Sequence, residues 1–314
     1  MIQLKGKLAK LLVLFGLCLV FGGIFAMLGV ALANVFFDVQ IRALSDLLTS
    51  SNPSAHGLVL KFIQGVQSFG LFIFPAILFS LVFAQKSSLK LGALPTISFR
   101  SLLILLLLFV SYLPIINLTV ELNSLMKLPA FLSELEAWMR NAEDNAEQLT
   151  MLLLKMDTSI DLGINLLIVG LIPAFGEELI FRGHVQRILN KGKNNGHYGI
   201  WISAILFSAL HMQFYGFIPR LLLGAFFGYL FHWSKNLWIP IIAHFINNAS
   251  AVFVTYLIGT AAMEEKVDTI GTTANLPVIS LLFVTLFVVL IRFSRKHFIG
   301  ISNKANSSQG GLST

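Results

Sequence analysis

Charge is what this sequence has least of. Of its 314 residues only 12% are Asp, Glu, Lys or Arg, about half of what a soluble domain carries. So little charge cannot cover a surface that faces water all round, so lipid must be the solvent for much of the chain. Cysteine is nearly absent. Cys18 alone occurs, inside the first apolar run, which excludes an intrachain disulfide framework and a cysteine-built zinc site. Acidic residues are scarcer than basic ones, 15 against 22, for a net charge of +7. A basic balance can mark nucleic-acid binding, but here its placement along the chain follows membrane topology, so no nucleic-acid partner is expected.

What the sequence does have is long apolar runs. Hydrophobic residues make up 56% of it, and the mean hydropathy is +0.82. Eight segments are long enough to cross or nearly cross a bilayer: 11–37, 64–84, 101–120, 160–181, 199–217, 219–233, 237–259 and 276–293. Backbone groups in lipid must be satisfied within the segment, so each is expected to be a helix. Lys5, Lys7 and Lys10 followed by an apolar run ending near Ala31-Leu32-Ala33 resemble a signal peptide. The run is about twice the length of a signal core, so an uncleaved first helix is expected. Gly224 and Gly228 in the sixth segment stand at GxxxG spacing, which allows close helix approach.

The charges set an orientation. With the N-terminus inside, 15 of the 22 basic residues fall on the cytoplasmic side, among them Lys86, Lys90, Lys191, Lys193 and Arg295. Thirteen of the 15 acidic residues fall outside, around Asp38–Asp46, Glu121–Asp161 and Glu264–Asp268, and the other two are Glu177 and Glu178. The lysine and arginine bias determines orientation. The expected fold is therefore all-α, a polytopic bundle of about eight spans with both termini cytoplasmic, in a bacterial plasma membrane. Four regions are expected. Residues 1–158 hold N-terminal membrane helices plus an extracytoplasmic amphipathic segment, with Leu132, Leu135, Trp138 and Met139 at near-helical spacing. Residues 159–260 form a catalytic core, 261–299 a last transmembrane helix, and 300–314 a disordered tail rich in Ser, Gly and Asn.

Ionisable groups inside spanning helices cost about 2.5–3.5 kcal/mol each by insertion scales, and so mark functional sites. Three patterns carry them here: Gly176-Glu177-Glu178-Leu179-Ile180-Phe181-Arg182, Phe207-Ser208-Ala209-Leu210-His211, and His244-Phe245-Ile246-Asn247-Asn248. Residues four apart share a helix face, so Glu178 can pair with Arg182, and His244 and Asn248 project together. At 1.5 Å per residue, His211 lies on the order of 16–18 Å from the cytoplasmic start of its helix, His244 about 10 Å and Asn248 about 16 Å. Glu177 is expected near the cytoplasmic end of its own helix, which would place all four groups in the cytoplasmic half. The remaining histidines, His184 among them, are expected in loops or at interfaces and are assigned no role. A buried carboxylate beside an imidazole can hold a water and take its proton. A second histidine with an asparagine supplies donors for an oxyanion. Two histidines and a carboxylate (Glu177, His211, His244) are equally a zinc ligand set.

Glu-Glu-x-x-x-Arg, Phe-x-x-x-His and His-x-x-x-Asn, in that order, resemble the three motifs of the CAAX-protease and bacteriocin-processing (CPBP, or Abi) family of intramembrane peptidases. That family includes the type II CAAX prenyl endopeptidases. The resemblance covers roughly residues 160–255 and implies that Glu177 activates water with His211. His244 and Asn248 would form the oxyanion hole, with Glu178, Arg182 and Phe207 in support. It implies an endopeptidase acting on a membrane-associated or hydrophobic peptide or protein, either with one divalent metal such as zinc or without metal. Two other classes compete: a non-catalytic scaffold or immunity protein of the same fold, and a transporter using Glu177 and the histidines as a proton relay. No matching halves of the kind transporters carry are visible in the sequence.

Overall fold

The computed structural model describes residues 5–39, 57–83, 98–190, 196–259 and 277–310. Among them the principal elements are nine helices, and no strand occurs. They are α1 (Lys7–Phe36), α2 (Gly57–Val82), α3 (Phe99–Ser124), α4 (Ser133–Leu154), α5 (Ser159–Asn190), α6 (His197–Ala209), α7 (Phe217–Ser234), α8 (Trp238–Ile258) and α9 (Pro277–Gly310). Of these α1, α2, α3, α5 and α8 are long and apolar enough to cross a membrane. The chain is an all-α, multi-pass membrane protein. Lys86, Lys90, Lys191, Lys193 and Glu264–Asp268, on which the orientation argument leans, lie outside the described residues.

The chain forms two compact units. The first comprises residues 1–90, 144–191 and 247–262. Its helices approach closely where glycine removes a side chain. A Cβ at Gly70 of α2 would collide with the Phe25 side chain of α1, and one at Gly176 of α5 would stand 2.6 Å from the Cβ of Phe72. Ala33, Val59, Leu60 and Ile63 form a core over which α4 lays Leu149, Leu152 and Leu153. The Lys61 ammonium, buried at the edge of that core, donates to the carbonyl of Lys155 at 2.7 Å. Lys7 donates to the Leu189 carbonyl at 2.7 Å, which sets the start of α1 beside the end of α5.

The second unit comprises residues 91–143, 192–246 and 263–314. Its core is built from Ile104, Leu105 and Leu108 of α3, Phe226, Phe227 and Leu230 of α7, and Phe298 of α9. Helices α6 and α7 form a hairpin. Gly224 lets them close up, since a Cβ there would stand 3.2 Å from the Cα of Ala204 and from the ring of Phe207. Ser101 and His297 join the start of α3 to α9 at 2.9 Å.

Four expectations need correction. The 199–217 run is not one helix: α6 stops at Ala209, Met212 turns left-handed at φ 54°, and α7 begins at Phe217. Gln213 and Gly216 in the turn, and the Ser208 hydroxyl donating to the Phe217 carbonyl at 2.6 Å, close a turn between the fifth and sixth apolar runs, so the fifth helix ends at Ala209 rather than near 217. The fourth segment continues past 181 to Asn190, because Arg182, His184 and Gln186, polar enough to suggest a loop, are all buried. Glu177 therefore precedes the end of α5 by 13 residues (190 minus 177), about 20 Å of helix, rather than lying near it. Finally, α9 runs on to Gly310, through part of the tail expected to be disordered.

Candidate functional site

Glu177 and Glu178 close an α-helical stretch, Ile172–Glu178, that lies between two π-helical stretches of α5, Leu166–Leu171 and Leu179–Val185. Such wide turns are rare and concentrate at functional sites. Gly176, packed on Phe72, presses this part of α5 against α2. Both carboxylates are buried, Glu177 at 8% exposure and Glu178 at 0%. The guanidinium of Arg182 donates to Glu178 at 2.6 Å, one turn on, with both side chains out of solvent. Glu178 and Arg182 are thus a closed ion pair.

Asn248 acts on the same helix. Pro173 has no N–H to offer the carbonyl of Val169 four residues back, and the Asn248 amide donates to that carbonyl at 3.3 Å. The third motif thus gives a carbonyl inside a membrane segment a side-chain donor. The Asn248 carbonyl in turn accepts from Asn247 at 3.1 Å.

The two histidines flank one aromatic ring. Phe207 meets His211 edge-on at 4.9 Å between centroids, and meets His244 edge-on at 6.0 Å. His244 is buried at 4% exposure and stacks on Phe227 at 4.8 Å with 21° between planes. His211 is exposed, in the turn just past α6. Its Nδ1 lies 2.7 Å from the carbonyl of Phe207. A carbonyl only accepts, so Nδ1 carries the hydrogen of this bond. The turn sits beside Asn123, at the far end of α3 from Ser101, which donates to the Phe214 carbonyl at 2.8 Å.

Glu177, Glu178, Arg182 and Asn248 thus belong to the first unit, and Phe207, His211 and His244 to the second. In neither unit do three His, Cys, Asp or Glu side chains among the described residues gather as a metal-binding group. Sequence reasoning missed His184. It is fully buried on α5, within 3.2 Å of the Ser80 hydroxyl and 3.0 Å of the Ala76 carbonyl, and edge-on to Phe79. Its position two residues after Arg182, with a hydropathy drop around it, looked like a loop. Pro173 was the one overlooked signal, since a proline inside a span announces a carbonyl that needs a partner.

Residues 160–250 match the family model for type II CAAX prenyl endopeptidases of the Rce1-like kind. That stretch contains all three motifs. A relative described as uncharacterized protein YpbD, from Bacillus subtilis (strain 168), is 32% identical over 89 residues. Those residues are 27% of this chain and 42% of that protein, so the likeness spans less than half the relative's length. No solved structure matches.

Proposed function

We propose that this protein is an intramembrane endopeptidase that hydrolyses a peptide bond in a membrane-associated peptide or protein. Glu177 and His211 together activate a water. Attack on the substrate carbonyl forms a tetrahedral intermediate, whose oxyanion His244 and Asn248 stabilise. An amide nitrogen has two hydrogens, so Asn248 can hold Val169 with one and offer the other to the oxyanion. The Glu178–Arg182 pair keeps α5 in register. No metal is required in this reading: the carboxylate removes the proton that a metal would otherwise acidify. The chain crosses the membrane about eight times with both ends in the cytoplasm, and its partner is the peptide it cuts.

The observation that carries the reading is the His211 Nδ1 at 2.7 Å from the Phe207 carbonyl, which leaves Nε2 as the ring nitrogen that can face a water. The family match over all three motifs supports the reaction class. A second reading, a non-catalytic scaffold of the same fold, gains from one observation: Asn248 and His211 each satisfy a backbone carbonyl, work that needs no catalysis. The two part on Glu177→Gln. Comparing membrane proteomes of wild type and this variant shows a peptide whose processing depends on the carboxylate if the protein is a peptidase. A scaffold shows none.

A further inference from the structure

The turn that carries His211 is strapped from one side, within the second unit, by the amphipathic helix α4 and the end of α3. Four contacts make the strap. The Tyr215 backbone N–H donates to the carboxylate of Glu143 at 3.1 Å. The guanidinium of Arg140 lies over the Tyr215 ring at 4.6 Å from its centroid. Trp138 packs on Phe214 at 5.3 Å. Asn123 donates to the Phe214 carbonyl at 2.8 Å. Arg140 is itself held by Glu136, at 2.8 Å and 3.2 Å. That hydrogen-bonded guanidinium, with the Leu128 N–H, holds the Glu136 carboxyl below the usual carboxylate range. On the other side of the turn, Arg220 donates to the Gln213 carbonyl at 3.1 Å and to its side-chain oxygen at 2.5 Å.

These contacts have a reason to exist. The turn breaks the helical ladder between α6 and α7, and its backbone groups need partners from outside that ladder. Glu143 accepts from the Tyr215 N–H, and Asn123 adds a donor to the Phe214 carbonyl, which also accepts from the Phe217 N–H at 3.2 Å. His211 stands three residues before Phe214, and its own carbonyl bond to Phe207 survives only while the turn keeps its course. A non-helical turn seven residues long would otherwise sample many conformations.

We infer that Glu143 and Asn123 are positioning residues for His211. They hold the 210–216 turn so that the imidazole keeps its Nδ1–H on Phe207 and its Nε2 toward substrate. This rests on the peptidase reading for its catalytic meaning, but the positioning itself can be read without any substrate. Arg140 and Trp138 brace the same turn through the Tyr215 and Phe214 rings.

The test is carbethoxylation of the full-length, detergent-solubilised protein with diethyl pyrocarbonate, followed histidine by histidine by mass spectrometry. Exposed His197 is the internal reference, and buried His184 and His244 report on folding. In the double variant Glu143→Ala/Asn123→Ala the rate at His211 changes several-fold relative to His197, while His184 and His244 stay protected. Glu143→Gln alone keeps an oxygen for the Tyr215 N–H and leaves the His211 rate at the wild-type value. An unchanged His211 rate in the double variant overturns the proposal. If His184 and His244 become reactive in that variant, the single variants Glu143→Ala and Asn123→Ala are read by the same criterion, and unchanged rates there overturn it too. Where a Glu177-dependent processed peptide exists, its cleavage drops about tenfold in the strap variants, as a misplaced base demands, and recovers in Glu143→Gln. Absence of any such peptide with a shifted His211 rate removes the peptidase reading and leaves the strap standing.

Discussion

His211 folds its imidazole back on the helix it has just left: Nδ1 reaches the carbonyl of Phe207 at 2.7 Å and the ring sits edge-on to the Phe207 ring at 4.9 Å. The last carbonyls of a helix have no partner within it, and the His211 backbone N–H is spent on Ser208 at 3.3 Å. The side chain therefore caps the carbonyl its own backbone abandons, and the cap selects the tautomer.

From this, His211→Ala and His211→Gln separate capping from catalysis. Both lose peptide processing entirely. His211→Ala also loses the cap, costing on the order of 0.5–1.5 kcal/mol, whereas the Gln amide can donate to the same carbonyl and keeps the thermal midpoint closer to wild type. Differential scanning fluorimetry beside a processing assay reads both. Processing by His211→Gln at the wild-type rate would remove this residue from the chemistry.

The Glu178–Arg182 pair is sealed, at 0% and 1% exposure. Removing one member leaves a buried charge uncompensated, at a cost of about 3–5 kcal/mol. Glu178→Ala and Arg182→Ala should each unfold or fail to accumulate in the membrane. The double change Glu178→Leu/Arg182→Met, apolar and of similar volume, should recover much of the lost stability. Equal thermal midpoints for Glu178→Ala and wild type would contradict the sealed pair.

Pro173, Val169 and Asn248 define a double-mutant cycle. Asn248→Ala removes this donor from the Val169 carbonyl and should cost about 0.5–1.5 kcal/mol. Pro173→Ala restores an N–H in reach of that carbonyl, so Asn248→Ala should cost less in that background, and the coupling reads the interaction directly. Additive effects would mean that the 3.3 Å bond carries no weight.

The metal-free account separates from a zinc-dependent one by the pattern of losses. His244→Ala and Asn248→Ala should resemble each other, each costing roughly 10²–10³ in rate as an oxyanion donor is lost. His211→Ala should be the more severe. Elemental analysis of active protein should find no stoichiometric metal. One zinc per chain, lost together with activity in His244→Ala, would overturn the metal-free account.

The helical, multi-pass fold was legible because apolar runs in lipid have one economical solution. The motifs were legible because ionisable residues are rare enough in spanning helices to stand out. Depth was not. Hydropathy ended α5 at the first cluster of polar residues, although Arg182 and His184 find buried partners in Glu178, Ser80 and the Ala76 carbonyl. It also fused α6 to the turn after it, since Leu210, Met212 and Phe214 are apolar whether helical or not. The amphipathic pattern of α4 was visible, but its grip on the 210–216 turn depends on residues some 70 positions apart in sequence, such as Glu143 and Tyr215, which no local periodicity reveals.

The central claim is that a buried carboxylate on α5 performs hydrolysis, and Glu177→Gln tests it most directly. The change is nearly isosteric, so the variant should insert and fold like wild type, with the same thermal midpoint and the same abundance in the membrane. Quantitative comparison of membrane and secreted peptides from cells carrying each form should then show at least one peptide cut in wild type and left intact in the variant. Identical peptide profiles, with equal abundance of the two proteins, would contradict the account.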